Sequence, residues 1–226
     1  MALEGTPFGH YQILRLIGRG GMGEVYLTED LRLRRQVAAK VIRTETMQFD
    51  QGSVSDTLRL FRREATAIAR LDHPTLLPLY DHGETILDGS HIAYLIMPYR
   101  SEGSLSSWLQ RRAQTQHTQQ LTLKQVAHIV QYTCQALQYA HDHQIMHLDV
   151  KPANFLLRSH PRTDEYPDLQ LSDFGIARLA NMTSSSSQHI RGTPMYMAPE
   201  QCVGQPAFAS DQYALAVVVY EWLVGE

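Results

Sequence analysis

Four residues of this chain have the types and the spacing to move a phosphoryl group. Asp149, Lys151 and Asn154 lie within the run His147-Leu148-Asp149-Val150-Lys151-Pro152-Ala153-Asn154, and Asp173 opens Asp173-Phe174-Gly175 nineteen residues after Asn154. A carboxylate at Asp149 can orient a hydroxyl nucleophile and accept its proton. An ammonium at Lys151 can meet the charge of the moving phosphate. Asn154 and Asp173 offer hard oxygen donors for Mg2+, which needs few protein groups. Each residue alone could be a loop cap; at these joint offsets the chemistry to expect is phosphoryl transfer from Mg·ATP.

Gly18-x-Gly20-x-x-Gly23 is followed by Val25 and lies between strand-like segments. Glycines let a backbone close over phosphates and donate amides to them. A dinucleotide loop of this pattern would open a helix, whereas here a strand follows, which favours a phosphate cover. Lys40 ends the apolar run Val37-Ala38-Ala39-Lys40. The chain has three lysines, Lys40, Lys124 and Lys151, among 20 Lys and Arg together, and two of the three stand at motif positions. Arginine cannot replace a compact ammonium between phosphates.

Periodicity supplies the elements that must position these groups. Strands are expected around Ile13 to Ile17, Val25 to Leu27 and Val37 to Val41, and further on at Leu76 to Asp81 and Ile92 to Met97, with an Asp88-Gly89 turn between the last two. Apolar spacing predicts helices over Leu58 to Leu71, Leu105 to Arg112, Lys124 to His143 and Ser210 to Leu223. Thr44 to Thr57, Ala113 to Gln120, Ser159 to Asp168 and Thr183 to Gln188 read as polar loops.

The chain is 43% hydrophobic and 19% charged over 226 residues, enough for a core in one unit or two small lobes. A net charge of -3 gives no reason to expect nucleic acid or an anionic membrane as partner. Two cysteines, Cys134 and Cys202, make no disulfide framework, so a cytoplasmic location is expected. No signal peptide or membrane segment is visible, and no Cys/His cluster has zinc spacing.

These motifs resemble those of eukaryotic-type (Hanks-type) serine/threonine protein kinases, with wording closest to bacterial members at Phe61-Arg62-Arg63-Glu64-Ala65 and Val150-Lys151-Pro152-Ala153-Asn154. The resemblance implies an α+β bilobal fold: an N-terminal extension at 1–10, a β-rich lobe at 11–97 and a mainly helical lobe at 98–226, with ATP between them. It also implies a protein Ser/Thr kinase with protein substrates and autophosphorylation, using ATP and Mg2+ or Mn2+, in signalling. Asp149 and Lys151 become catalytic, and Asn154 and Asp173 metal-binding. Gly18, Gly20, Gly23, Val25, Ala38, Lys40, Glu64, Met97, Tyr99, Arg100 and Leu156 become ATP-binding, Glu64 as the partner of Lys40 and the Met97 to Arg100 segment as the link holding adenine through its backbone. His147 packs near Phe174, Asp211 braces the catalytic loop, and Thr193 bonds toward Asp149 and Lys151.

Two departures stand out. Leu148 replaces the arginine that pairs with a phosphorylated activation segment in many relatives, so activation that does not depend strictly on phosphorylation at Thr183 to Ser187 is expected. The family also continues past the position of Glu226 with helices that cover Ala214 to Leu223 and supply an arginine to Glu200. The expectation is therefore a C-terminally truncated domain with an exposed face suited to self-association. An ATP-binding scaffold without catalysis is the alternative reading. Gly192-Thr193 and Ala198-Pro199-Glu200 argue against a small-molecule kinase.

Overall fold

The computed structural model of the protein describes residues 3–20, 23–43, 54–116, 121–158, 167–174 and 194–224. Two compact units emerge, a sheet unit drawn from Met1–Leu71 and Pro78–Tyr99 and a helical unit drawn from Asp72–Leu77, Arg100–Gly175 and Gly192–Glu226.

The sheet unit follows from alternation. Strands β1 (Pro7–Phe8), β2 (Tyr11–Gly20), β3 (Gly23–Asp30), β4 (Arg35–Arg43), β5 (Asp81–Leu87) and β6 (Ser90–Pro98) pair antiparallel in the order β1-β2-β3-β4-β6-β5. One face carries Tyr26, Val37, Ala39, Val41, Ile92 and Ile96 into a core with Leu3, Phe8, Tyr11 and Ile13. Within the stretch expected as an N-terminal extension, Leu3 and Phe8 are each 1% exposed in that core. The opposite parity places Val25 beside Lys40, and Lys40 beside Leu95, with Ala38 beside Met97. Helix α1 (Val54–Ile68) packs on β5 and β6 and buries Leu58, Phe61, Ala65 and Ile68, a stripe at helical spacing.

Asp88 (φ 51°) and Gly89 (φ 79°) both adopt left-handed backbone, which suits the two-residue hairpin expected there. The strand expected at Leu76 to Asp81 is corrected: β5 begins at Asp81, and Leu76 makes a single parallel bridge to Leu171 within the helical unit. Pro78 has no N–H for a sheet ladder, which keeps this stretch from extending β5 backwards.

The helical unit holds α2 (Leu105–Gln116), α3 (Leu123–Asp142), the hairpin β7 (Phe155–Leu157) and β8 (Leu169–Leu171), the single turn α4 (Pro199–Cys202) and α5 (Phe208–Val224). Thr122 caps α3 in a reciprocal box with Gln125, and Val126, Ile129, Thr133, Leu137 and Ala140 belong to its buried stripe. Helix α2 runs to Gln116 rather than ending at Arg112, because Arg111 to Gln116 is rich in strong helix formers. Trp222 of α5 meets Phe155 of β7 edge-on at 5.3 Å, locking helix and hairpin together. Tyr213, Tyr220 and Leu223 of α5 remain exposed. Among the described residues no helix is long and apolar enough to cross a membrane.

Candidate active site

The loop that carries Asp149 is built on one buried carboxylate. Asp211 of α5 is 0% exposed. Its Oδ2 accepts from the backbone N–H of His147 at 2.8 Å, and its Oδ1 accepts from that of Leu148 at 2.7 Å. His141 Nε2 on α3 lies 2.8 Å from the same Oδ2. Burial by itself would raise the Asp211 pKa; the His141 bond and the two backbone N–H groups outweigh it, and the net shift is downward. The brace expected of Asp211 is therefore present.

His147 is fully buried. Its Nδ1 faces the Asp149 N–H at 3.3 Å and its Nε2 faces the Ser172 carbonyl at 2.9 Å. Burial holds its pKa below the usual histidine value, so the ring is neutral, accepting at Nδ1 and donating at Nε2. Its ring lies 4.6 Å from that of Phe174, the structural packing anticipated from sequence.

Leu148 turns through φ 62°, a left-handed conformation that leucine adopts only under constraint, and Asp149 follows it. Asp149 Oδ2 lies 2.8 Å from Lys151 Nζ. Asn154 Nδ2 donates to the Asp149 carbonyl at 2.7 Å and to its Oδ2 at 3.0 Å. With the amide nitrogen so engaged, Asn154 Oδ1 is the atom left to face a cation. The Asn154 carbonyl accepts from the N–H of Ser172 at 2.8 Å and from its hydroxyl at 3.0 Å, which sets Asp173, the next residue, close to Asn154 along the backbone. Asp173 is itself left-handed, at φ 65°. Asp149, Lys151, Asn154 and Asp173 thus converge at one end of the β7–β8 hairpin, whose β7 also carries Leu156.

In the sheet unit, β2 and β3 meet in register at Gly20 and Gly23. Arg19 Nε of β2 pairs with Glu24 Oε1 of β3 at 3.0 Å, and the Tyr26 hydroxyl donates to Glu24 Oε2 at 2.7 Å. The three glycines differ. A Cβ on Gly23, at φ 136°, would lie 2.2 Å from the Val41 carbonyl oxygen, whereas one on Gly18 would find Val25 Cβ at 3.9 Å and one on Gly20 nothing. Gly23→Ala is expected to destabilise the sheet unit by about 2 kcal/mol or more, and Gly20→Ala by under about 0.5 kcal/mol, in thermal unfolding.

Lys40 is buried on β4 and Glu64 half-buried on α1. Met97 and Pro98 end β6 opposite Ala38 and Val37, and Tyr99 follows. The Arg100 side chain turns to the Gln170 carboxamide, with its Nε 3.1 Å from Oε1 and its Nη2 on the same oxygen. Gln170 Nε2 donates to the carbonyls of Pro74 and Leu76, each at 3.1 Å. Sequence reasoning passed over Gln170 and Gln201, because a carboxamide carries no motif and its partners are remote in the chain. Beyond the loop, Tyr196 donates to Glu221 at 2.5 Å, and Ser210 donates to Glu200 Oε1 at 2.6 Å, which lowers the Glu200 pKa. Gly192, Thr193 and Thr183 to Ser187 lie outside the described residues.

Residues 11–226 match the protein kinase domain family. The chain belongs to that family. This protein kinase domain is 37% identical over 219 residues to the serine/threonine-protein kinase PrkC of Bacillus subtilis, covering 96% of this chain and 31% of that protein. It is 36% identical over 224 residues to the serine/threonine-protein kinase PknA of Mycobacterium tuberculosis, covering 98% of this chain and 48% of that protein. The chain thus spans between 31% and 48% of the length of these two relatives. The crystal structure of the Mycobacterium tuberculosis PknI kinase domain superposes with a TM-score of 0.72 at 31% identity, covering 98% of this chain and 75% of that one. The bilobal kinase fold, with its β-rich and mainly helical parts, is therefore established for the chain.

Proposed function

We propose that this kinase domain transfers the γ-phosphate of Mg·ATP to serine and threonine hydroxyls of proteins, its own chain included. The observation that carries the reading is the Asp149 carboxylate held between Lys151 and Asn154 on a loop pinned by Asp211. Asp149 orients the substrate hydroxyl and takes its proton as the oxygen attacks. Lys151, 2.8 Å from that carboxylate, offsets charge on the phosphoryl group in flight. Asn154 Oδ1 and the Asp173 carboxylate are hard oxygen donors that fit Mg2+, with Mn2+ as a substitute; the ion supplies charge neutralisation on the phosphate oxygens. Lys40 contacts the α- and β-phosphates with Glu64 as its partner. Gly18 and Gly20, which the fold leaves with open space, admit phosphates close to the backbone. Val25, Ala38, Met97 and Leu156 contribute apolar contact to adenine, and the backbone of Tyr99 and Arg100 its polar contacts.

The test is incubation with Mg·ATP, a serine/threonine-containing acceptor protein and, in parallel, excess chelator. Phosphoserine or phosphothreonine in the acceptor and in the chain, lost on chelation and restored by Mg2+ or Mn2+, is the expected result. ATP binding by calorimetry with no transfer to either acceptor would instead make the chain an ATP-binding scaffold. Protein substrates other than the chain itself, a cytoplasmic location and self-association through the exposed α5 side chains belong to the same proposal.

A further inference from the structure

The peptide units on either side of Leu148 are gripped from two directions. On the N–H side, Asp211 Oδ1 accepts at 2.7 Å. On the carbonyl side, Gln201 Nε2 of α4 donates to the Leu148 oxygen at 3.3 Å. The other end of the same carboxamide is also committed, because Gln201 Oε1 accepts from the Ala198 N–H at 3.1 Å. These two bonds fix which end of the amide is which. Gln201 is therefore a rigid strut from the Ala198-Pro199-Glu200 corner to the carbonyl one bond before Asp149.

Leu148 needs such a strut. Its φ of 62° is a conformation that a buried leucine abandons when released. Rotation of its peptide would swing Asp149 away from Lys151 and Asn154.

We infer that Gln201 is a positioning residue for phosphoryl transfer, acting through the Leu148 carbonyl to keep Asp149 in its working geometry; this rests on the function proposed above. It also implies that the chain segment 194–202 and the Asp149 loop move together rather than independently.

Gln201→Glu separates the two bonds. The variant keeps an oxygen for the Ala198 N–H but has no donor for the Leu148 carbonyl. With Mg·ATP and an acceptor protein, its kcat is expected to fall about tenfold while the KM for ATP stays within about twofold. Gln201→Leu, which removes both bonds, is expected to match or exceed that fall. Independently of turnover, hydrogen exchange of the amides from His147 to Val150 should quicken in both variants, with the exchange of α3 unchanged. Unaltered exchange at these amides overturns the strut, as does full kcat in Gln201→Glu. Faster exchange at this loop in a chain whose parent transfers no phosphate would keep the link and overturn the phosphotransfer reading instead.

Discussion

Replacing Asp149 by asparagine is expected to slow phosphoryl transfer by about 10²–10⁴-fold, with little change in fold. The substitution keeps the shape and removes the proton acceptor. It also reverses a local match, because the carboxylate oxygen now sits 2.8 Å from Lys151 Nζ and 3.0 Å from Asn154 Nδ2, both donors. An amide can offer one oxygen to those two donors, and its nitrogen cannot take a proton from a hydroxyl. Lys151 is partly exposed, so leaving it without its counter-charge is a small perturbation of stability. Single-turnover rates beside circular dichroism check this. A variant that is folded and retains more than about a tenth of the parent rate would remove Asp149 from the chemistry.

Asp211→Ala should have the largest effect on stability, about 3–5 kcal/mol lost from the helical unit, together with loss of transfer. One carboxylate satisfies two backbone N–H groups and faces His141, with Asp211, His147 and Leu148 all buried. Alanine leaves those N–H groups buried without partners and opens a void beside them. Leu148 then loses the carboxylate that accepts its N–H in left-handed backbone. Denaturant unfolding measures the loss directly; a change under about 1 kcal/mol would show that water or a neighbour replaces the carboxylate.

Much of this was readable in the sequence, for a physical reason. Asp149, Lys151 and Asn154 lie on one short loop, and Asp173 is brought beside Asn154 by the hairpin that directly follows it, so their order along the chain carries their proximity. The glycine turn and the Asp88-Gly89 hairpin are likewise local devices, set by backbone conformations that few residues adopt. Helix α3 announced itself through a buried stripe at helical spacing. What stayed hidden depends on partners far away. Gln170 meets carbonyls 96 and 94 positions earlier, and Gln201 meets one 53 positions earlier. Leu3 and Phe8 looked like part of a tail because their burial depends on strands that come later. The stretch Thr75 to Leu77 has strand composition but bonds to β8, so periodicity alone assigned its start to the wrong neighbours.

That stretch bears on modularity. Asp72–Leu77 lies in sequence between α1 and β5, both of the sheet unit, yet it is part of the helical unit. The Leu77 N–H donates to the Leu171 carbonyl, the Leu171 N–H to the Thr75 carbonyl, and Gln170 takes up Pro74 and Leu76. The polypeptide therefore leaves one unit, sews a stitch into the other and returns. No single cut yields both halves intact: a fragment ending at Tyr99 would carry this stitch without its fabric, and one starting at Arg100 would present β8 with a bare edge. Exchange of the sheet unit between related chains would have to bring the host's own 72–77 segment with the helical half, which makes that short insert, rather than the stretch around Pro98, the natural seam for any chimera.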